Sequence, residues 1–581
     1  MSAILGLMRG LGQPVDPALL ARMAGAMALR GPDGCGFWHE GPVGLGHLMH
    51  RIAPESQGET QPCRHAEAQV VLVADARIDN RDELLEALGI PPRDQGGIPD
   101  SRLILEAYLA WGDRCPQRLL GAFAFVLWDG RARSLFGATD HTGLRSLVFC
   151  EAGGCLAFAS EVRGLLALPM VPARLDQTAF AASLEARNFD HRRTFFEGIR
   201  RLLPAQCFTA GPGPLRCRTY WRPEPGAAGP GRDWAEEARA TFAAAVRCRL
   251  RTRHPCGLML SGGLDSAAIA CVAARHLAAS GRTLVTVSSV LPADHPGPET
   301  DERAFIREVC RQEANIRPLF VTAAGRDPLQ GLDAVFDRHC APVNLFHSMD
   351  LALADALAGA GVRVTLTGAP GDGTLSYDGR DSLARLAMGG RWRDWLALGR
   401  ELGARRGRPF WREAAGSFRA RNHGPELLDR AAKGFLFMGG LASDHGDLGM
   451  EPCHPFWDKR IVELALRIPP AEYLRDGWPR SLFRRAMAGI LPEPVRWRLA
   501  KHPYVPDFQS RIASFRMRYA GLIDQLAGQG PRAGLDLTQL RSRLAGLRPD
   551  PPDFPGLRTV VAGLIHLQFL AWRERQGIGS K

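Results

Sequence analysis

The stretch Ser261-Gly262-Gly263-Leu264-Asp265-Ser266 constrains this chain more than any other. The apolar run Cys256-Gly257-Leu258-Met259-Leu260 leads into it, and Ala267-Ala268-Ile269-Ala270-Cys271-Val272-Ala273-Ala274 leads out. That order predicts a buried strand, a tight glycine turn and a helix. The first amides of a helix lack intrahelical partners and lie at the positive end of its dipole. Gly262 and Gly263 allow the backbone a close approach to an anion. Ser261 and Ser266 can donate to phosphate oxygens, whereas Asp265 repels phosphate unless a cation lies between them. The loop therefore reads as a site for a magnesium-bound polyphosphate. It is not a Walker loop, because the G-x-x-x-x-G-K-S/T spacing is absent.

The 581 residues suffice for two large domains. No apolar run reaches about 18 residues, so no membrane span is expected. Met1-Ser2-Ala3-Ile4-Leu5-Gly6 has no basic region ahead of an apolar core, which argues against a signal peptide. Thirteen cysteines without C-x-x-C pairs imply reduced thiols, a cytoplasmic location and no zinc. The net charge of +12 raises nucleic acid as a partner. No arginine block with interleaved aromatics supports that, so none is expected.

In the first half, Val43 to His47, Gln69 to Ala74 and Gly121 to Asp129 are apolar runs bounded by turn residues, and Leu135 to Asp140 suits a hairpin partner. Ser101 to Trp111 has helical spacing. Layered sheets with helices outside are expected. Arg30-Gly31-Pro32-Asp33-Gly34, Gly46-His47, Ala74 to Asn80 and Gly121 to Asp129 together resemble the glutamine amidotransferase domain of asparagine synthetases, an N-terminal-nucleophile hydrolase. That family begins Met-Cys-Gly-Ile; here Ser2 and Ala3 stand instead. Its Asn-Gly-Glu segment, an oxyanion donor and a glutamine-binding carboxylate, is replaced by Asp75-Ala76-Arg77. The Asp removes an amide donor where negative charge develops, and Arg77 inverts the charge that holds the glutamine amine. Asp100 matches a family substrate-binding position. The resemblance with these departures implies a domain over 1–222 whose glutaminase activity is lost. A Pro- and Gly-rich linker follows, from Pro223 to Arg232.

From 233 to 581, strands alternate with helices, which implies a doubly wound parallel sheet with ligands at the carboxyl ends of its strands. The strand Arg282 to Val290 places Val287 and Ser288 beside the loop, where adenine could sit. The strand Gly361 to Thr367 runs into Gly368-Ala369-Pro370-Gly371-Asp372-Gly373. Asp265 and Asp372 could then hold Mg2+ between the phosphates of ATP. Thr374 to Gly440 is helical, basic and rich in tryptophan. It suits a helical subdomain with aromatics packed inward, a groove for a peptide partner, or an amphipathic membrane face.

The phosphate loop resembles that of the N-type ATP pyrophosphatases, and the asparagine synthetase resemblance extends over essentially the whole chain. Gly368, Gly371 and Asp372 match its Ser-Gly-Glu-Gly-x-Asp-Glu pattern, while Ala369 and Gly373 depart from it. Glu451 to Asp458 is similar to the family's Glu-x-x-x-Pro-Phe-Leu-Asp segment, and Lys501 falls at its catalytic lysine. The resemblance implies that ATP adenylates a carboxylate and that an amine captures the adenylate. Loss of the Ala369 position's glutamate counts against asparagine as product. Two kinds of relative capture an amine of the substrate itself, the β-lactam synthetases and the lasso peptide cyclases. Ala74 to Leu84, Pro296 to Arg303 and Asp476 to Arg480 look like the lasso cyclases. That branch implies closure of a macrolactam between the N-terminal amine and an Asp or Glu side chain of a precursor peptide, with a leader peptidase as partner, Lys501 stabilising charge and Glu451 as a possible base. Asparagine or other small-molecule amide or β-lactam synthesis, and a non-catalytic ATP-binding scaffold, remain alternatives.

Overall fold

The computed structural model describes residues 1–581 except 11–12, 92–96, 186–189, 212, 227–228, 230, 420–426, 428–444, 500–501, 529–533, 549–552 and 577–581. In it the apolar runs of the first half pair as antiparallel strands. These are β1 (Ala3–Arg9), β2 (Cys35–Glu40), β3 (Val43–Leu48), β4 (Cys63–His65), β5 (Val70–Ile78), β6 (Gly121–Asp129), β7 (Ser134–Thr139), β8 (Val148–Ala152), β9 (Cys155–Ala159), β10 (Arg200–Arg201), β11 (Gln206–Ala210) and β12 (Arg216–Thr219). They form two six-stranded sheets, ordered β10-β8-β9-β1-β3-β2 and β12-β11-β7-β6-β5-β4. The expected hairpin of β6 with β7 is present, with Phe125 opposite Ala138.

The central strands are apolar on both faces because both faces are covered, whereas edge strands β2 and β12 are largely exposed. Ile4, Leu45, Val73, Val126 and Phe158 fill the space between the sheets. On β5 the alternate residues Leu72 and Ala74 point outward and pack with Leu105, from helix α1 (Asp100–Trp111). On β1 the outward residues Ala3, Leu5 and Leu7 pack with Leu20, Met23 and Leu165. The result is the layered sandwich with outer helices expected from the sequence.

The second half begins with α2 (Trp234–Cys248), whose N-cap Asp233 accepts from the amides of Ala235 and Glu236. Its Phe242 packs on Phe456 and Phe483 at 4.9 and 5.1 Å. Five parallel strands follow: β13 (Cys256–Met259), β14 (Leu284–Val290), β15 (Ile316–Thr322), β16 (Val364–Leu366) and β17 (Glu451–Cys453), ordered β15-β14-β13-β16-β17. Helix α3 (Leu264–Ala278) leaves the end of central strand β13, and α4 (His347–Gly359) precedes β16. This is the expected doubly wound parallel sheet.

Helices α5 (Ser382–Met388), α6 (Trp392–Arg406) and α7 (Phe410–Arg419) form the described part of the tryptophan-rich insert; most of its remainder lies outside the described residues. Trp395 packs edge-on against Phe410 at 4.8 Å. Trp392 and Trp411 are each 61% exposed, so the inward-packed reading holds for only part of the insert. The final helix, α8 (Phe554–Arg575), is long and apolar enough to cross a bilayer by length and composition. Most of its apolar side chains are instead buried in the protein, Phe554 at its start being exposed. Phe569 meets Phe195 of the first half at 5.9 Å and Phe336 of the second at 5.4 Å.

Several buried histidines sit in this core. Burial pushes the pKa of His47, His141 and His454 from an ordinary 6.5 down to about 3, and that of His566 to about 4. In the unfolded chain these rings bind protons below about pH 6.5, while the native state refuses them. Stability is therefore complete above that value and falls as pH drops toward the folded pKa. Urea titrations between pH 6.5 and 5 should give a slope greater than one histidine's maximum of about 1.4 kcal/mol per pH unit. His566→Gln should reduce that slope.

Candidate functional site

One residue, Leu260, separates strand β13 from the phosphate-loop candidate, and it extends the pairing by donating its amide to the Val287 carbonyl at 2.9 Å. Gly262 takes φ +69, a left-handed conformation that an L side chain rarely adopts, and a Cβ there would lie 3.2 Å from Glu302. Gly263 caps α3 without any side-chain cap. The first amides of a 15-residue helix are thus left to an incoming anion. The loop braces itself: the Ser261 amide donates to Ser266 Oγ at 3.1 Å, and the two hydroxyls lie 3.0 Å apart.

Asp265 lies against the second glycine turn. A Cβ on Gly371 would fall 2.6 Å from the Asp265 carboxyl carbon, and one on Gly368 would fall 3.0 Å from the Ser266 amide. Both positions need glycine because the two turns touch. Asp372 follows in the single-turn helix Gly371–Gly373 and is exposed. The sequence-predicted pair of acids is thus carried on adjoining turns at the carboxyl ends of neighbouring strands β13 and β16. Carboxylate and hydroxyl oxygens on such turns fit magnesium, a hard cation that takes a few protein oxygens and leaves the rest to phosphate and water. Val287 and Ser288 lie on β14 next to β13, with both side chains buried.

Arg480 was missed by sequence reasoning as a site residue. It has φ +60 and donates from Nη1 to Asp265 Oδ2 at 3.2 Å and to Ser376 Oγ at 3.1 Å. Glu302 was also missed. It accepts from Arg498 Nη2 at 2.6 Å and from the His502 amide at 2.7 Å, and Arg498 Nη1 donates to the Gly262 carbonyl at 2.9 Å. Glu302 thereby ties residues 498 and 502 to the loop. Lys501 itself lies outside the described residues.

Glu451 is not brought to this site. It opens β17, paired in register with Val364 at the amino end of β16, whereas the glycine turns leave the carboxyl end. Three strand residues, about 10 Å, separate it from that edge. His454 holds the position nearer the loop, with Nδ1 2.7 Å from Thr367 Oγ1. Glu451 is buried and accepts from Arg145 Nη2 at 2.7 Å. Burial pushes its carboxyl up, and the Arg145 and Arg77 guanidiniums outweigh that and hold it below the ordinary value. The expectation of a base beside the adenylate is corrected accordingly.

Glu451 instead lines an interdomain cavity of about 40 Å³ with Ser2, His50, Asp75, Arg77, Asp100 and Arg145. Ser2 Oγ accepts from the His50 amide at 3.1 Å. Asp75 lies 3.6 Å from both Arg30 and Arg145. Asp100 accepts from Arg81, from Arg251 at 2.9 Å and from the Ile78 amide at 3.0 Å. Arg77 reaches out of the first half to the Cys248 carbonyl at the end of α2. The groups that would have handled glutamine are engaged in ion pairs and interdomain hydrogen bonds.

Removing one partner of a buried pair strands the other charge, at about 3–5 kcal/mol. Arg145→Met should therefore destabilise more than Arg145→Met combined with Glu451→Gln. A double-mutant cycle with Glu451→Gln alone, in urea, measures this; single losses that add up to the double loss would show that the pair is not coupled.

The comparisons with known proteins agree with this geometry. Residues 1–221 match the family described as glutamine amidotransferase domain. Residues 237–434 and 447–572, more than half of the chain, match the family described as asparagine synthase. The chain is 29% identical over 276 residues to glutamine-hydrolyzing asparagine synthetase 3 of Bacillus subtilis, covering 46% of this chain and 44% of that protein. It is 28% identical over 362 residues to amidase chyE of Penicillium rubens, covering 59% and 52%. It is 33% identical over 288 residues to a putative glutamine-hydrolyzing asparagine synthetase of Mycobacterium tuberculosis, covering 44% and 42%. The matched stretches span roughly half the length of these relatives. On the strength of the match over its second half, the chain belongs to the asparagine synthase family.

Proposed function

We propose that the protein is an ATP-dependent amide ligase, forming AMP and pyrophosphate, that closes a macrolactam in a peptide. The observation that carries the ligase reading is the contact of the Asp265 loop with the Gly368–Gly371 turn, joined by Arg480. The substrate carboxylate attacks the α-phosphorus of ATP, and pyrophosphate leaves. The free amides at the start of α3, the hydroxyls of Ser261 and Ser266, and Arg480 receive its charge. Asp265 and Asp372 would hold magnesium, which neutralises the phosphate oxygens when bound. Lys501 stabilises charge at the α-phosphate in this reading, its neighbours Arg498 and His502 being tied to Glu302 beside the loop.

The peptide reading rests on the first half. With Asp75 and Arg77 in ion pairs, and Arg77 inverting the charge that would hold a glutamine amine, the cavity is poorly suited to release ammonia. The amine then has to come from the substrate, and holding it beside the adenylate replaces a high amine concentration, an effect on the order of 10⁵–10⁸ M in favourable cases. The exposed Trp392 and Trp411 offer aromatic area to a peptide. A leader peptidase that frees the amine is the partner such a reaction requires. With Glu451 at the far strand end, the amine's proton leaves by another route.

A second reading is favoured by the names of the relatives: synthesis of asparagine or another small amide. Exchange of labelled pyrophosphate into ATP separates the two. A precursor peptide with an internal Asp or Glu should drive exchange, and free aspartate should not; the reverse result would favour the second reading. Asp265→Asn should lower exchange at least a hundredfold without changing the unfolding free energy from urea titration by more than about 1 kcal/mol. Gly371→Ala, which pushes a methyl into the Asp265 carboxylate, should weaken Mg·ATP binding about tenfold or more, as read by calorimetry. Ser2→Ala should leave peptide cyclisation intact, and the protein should not hydrolyse glutamine; a cyclisation loss would give the first domain a chemical role.

A further inference from the structure

The interdomain cavity holds two buried cations with unmet donors. Arg77 and Arg145 have side chains that are each 3% exposed, and both line the cavity. Arg77 Nη1 has no hydrogen-bond partner among the described residues, and neither has Arg145 Nε, whose nearest carboxylate oxygen, on Asp75, is 3.6 Å away. A buried guanidinium N–H without an acceptor costs about 1–3 kcal/mol or more, so two on one cavity call for an occupant. The space of about 40 Å³ accommodates on the order of three water-sized groups.

The surroundings favour a negative occupant. Around Arg77, three guanidiniums (its own and those of Arg249 and Arg460) share two carboxylates, Asp79 and Asp458. The lining also includes the Met1 amine, 2.5 Å from His50 Nδ1. Burial first, with the cations Arg363, Arg30 and Arg145 adding to it, keeps His50 neutral, and burial likewise pushes the Met1 amine down to about 4. Asp100 is taken by Arg81 and Arg251, and Glu451 by Arg145. Burial raises the Glu59 carboxyl, which accepts from Gln61 Nε2 at 3.0 Å; Glu55 is paired with Arg251, and Asp75 lies 3.6 Å from both Arg30 and Arg145. Ser2 and Ser101 add hydroxyls to the lining.

We propose that this cavity is a binding site for a small carboxylate of formate or acetate size, gripped between Arg77 Nη1 and Arg145 Nε. The site is built from both halves of the chain, so its occupant bridges them. Such an anion supplies acceptors to Arg77 and Arg145 beside their bonds to the Cys248 carbonyl and to Glu451, and this holds whichever amide the second half forms.

The test uses the full-length protein, with sodium formate as probe and ionic strength held constant with sodium gluconate, too large for the cavity. Thermal midpoints should rise saturably with formate, and ¹³C-formate should show saturation transfer from the protein. Arg77→Met should weaken the apparent affinity at least tenfold. If that variant does not fold, Ser2→Val, which fills the space without removing a charge, should abolish the formate response. The proposal is overturned if gluconate acts like formate, if the variant binds like the parent, or if formate neither shifts the midpoint nor gives saturation transfer, in which case the cavity holds water only.

Discussion

Charge buried between the two halves is the constraint on which the arrangement rests. Arg145 comes from the first half and meets Glu451 of the second; Arg249 comes from the second and meets Asp79 of the first and Asp458 of its own half. Arg251 reaches back to Glu55 and Asp100. Such pairs gain little over well-packed apolar groups, because desolvation offsets their attraction. Their directional demand is the useful part. A slip between the halves would leave several charges buried and unpaired at once, so the pairs define one relative placement. Helix α8 adds non-directional burial from the other side, where Phe569 joins aromatic rings of both halves.

This placement separates two sites that face opposite edges of one sheet. The glycine turns and Asp265 lie at the carboxyl edge, while Glu451 at the amino edge closes the cavity of the first half. Strand β17 is three residues long and connects the two. Its first residue belongs to the ion pairs, and the residue after it, His454, bonds to Thr367 just ahead of the second glycine turn. The same short strand therefore transmits the position of the first half to the edge that would bind nucleotide.

What could be read in the sequence was what depends on local chemistry. The strand, turn and helix around Ser261 are specified by an apolar run, two glycines and a small-residue helix, and the structure forms them at those residues. The opposition of the Asp265 and Asp372 turns followed from the rule that parallel strands present their carboxyl ends together. Glu451 was misplaced because its position depends on which end of β17 pairs with Val364, and a segment of three residues carries no periodicity to reveal that. Arg480 was missed because its partner Asp265 is 215 residues away and the two meet only through tertiary packing. Trp392 and Trp411 were hard to place for the same reason: composition shows how many tryptophans a helix carries, and packing decides which are covered.

The central claim is that a peptide carboxylate attacks the α-phosphorus of ATP. It is tested most directly by labelling the acidic side chain of a precursor peptide with ¹⁸O and weighing the nucleotide product. Adenylation followed by amide closure transfers one labelled oxygen to AMP, in step with cyclised peptide, and leaves pyrophosphate unlabelled. Label in inorganic phosphate with ADP as the nucleotide, or cyclisation with unlabelled AMP, would contradict the account.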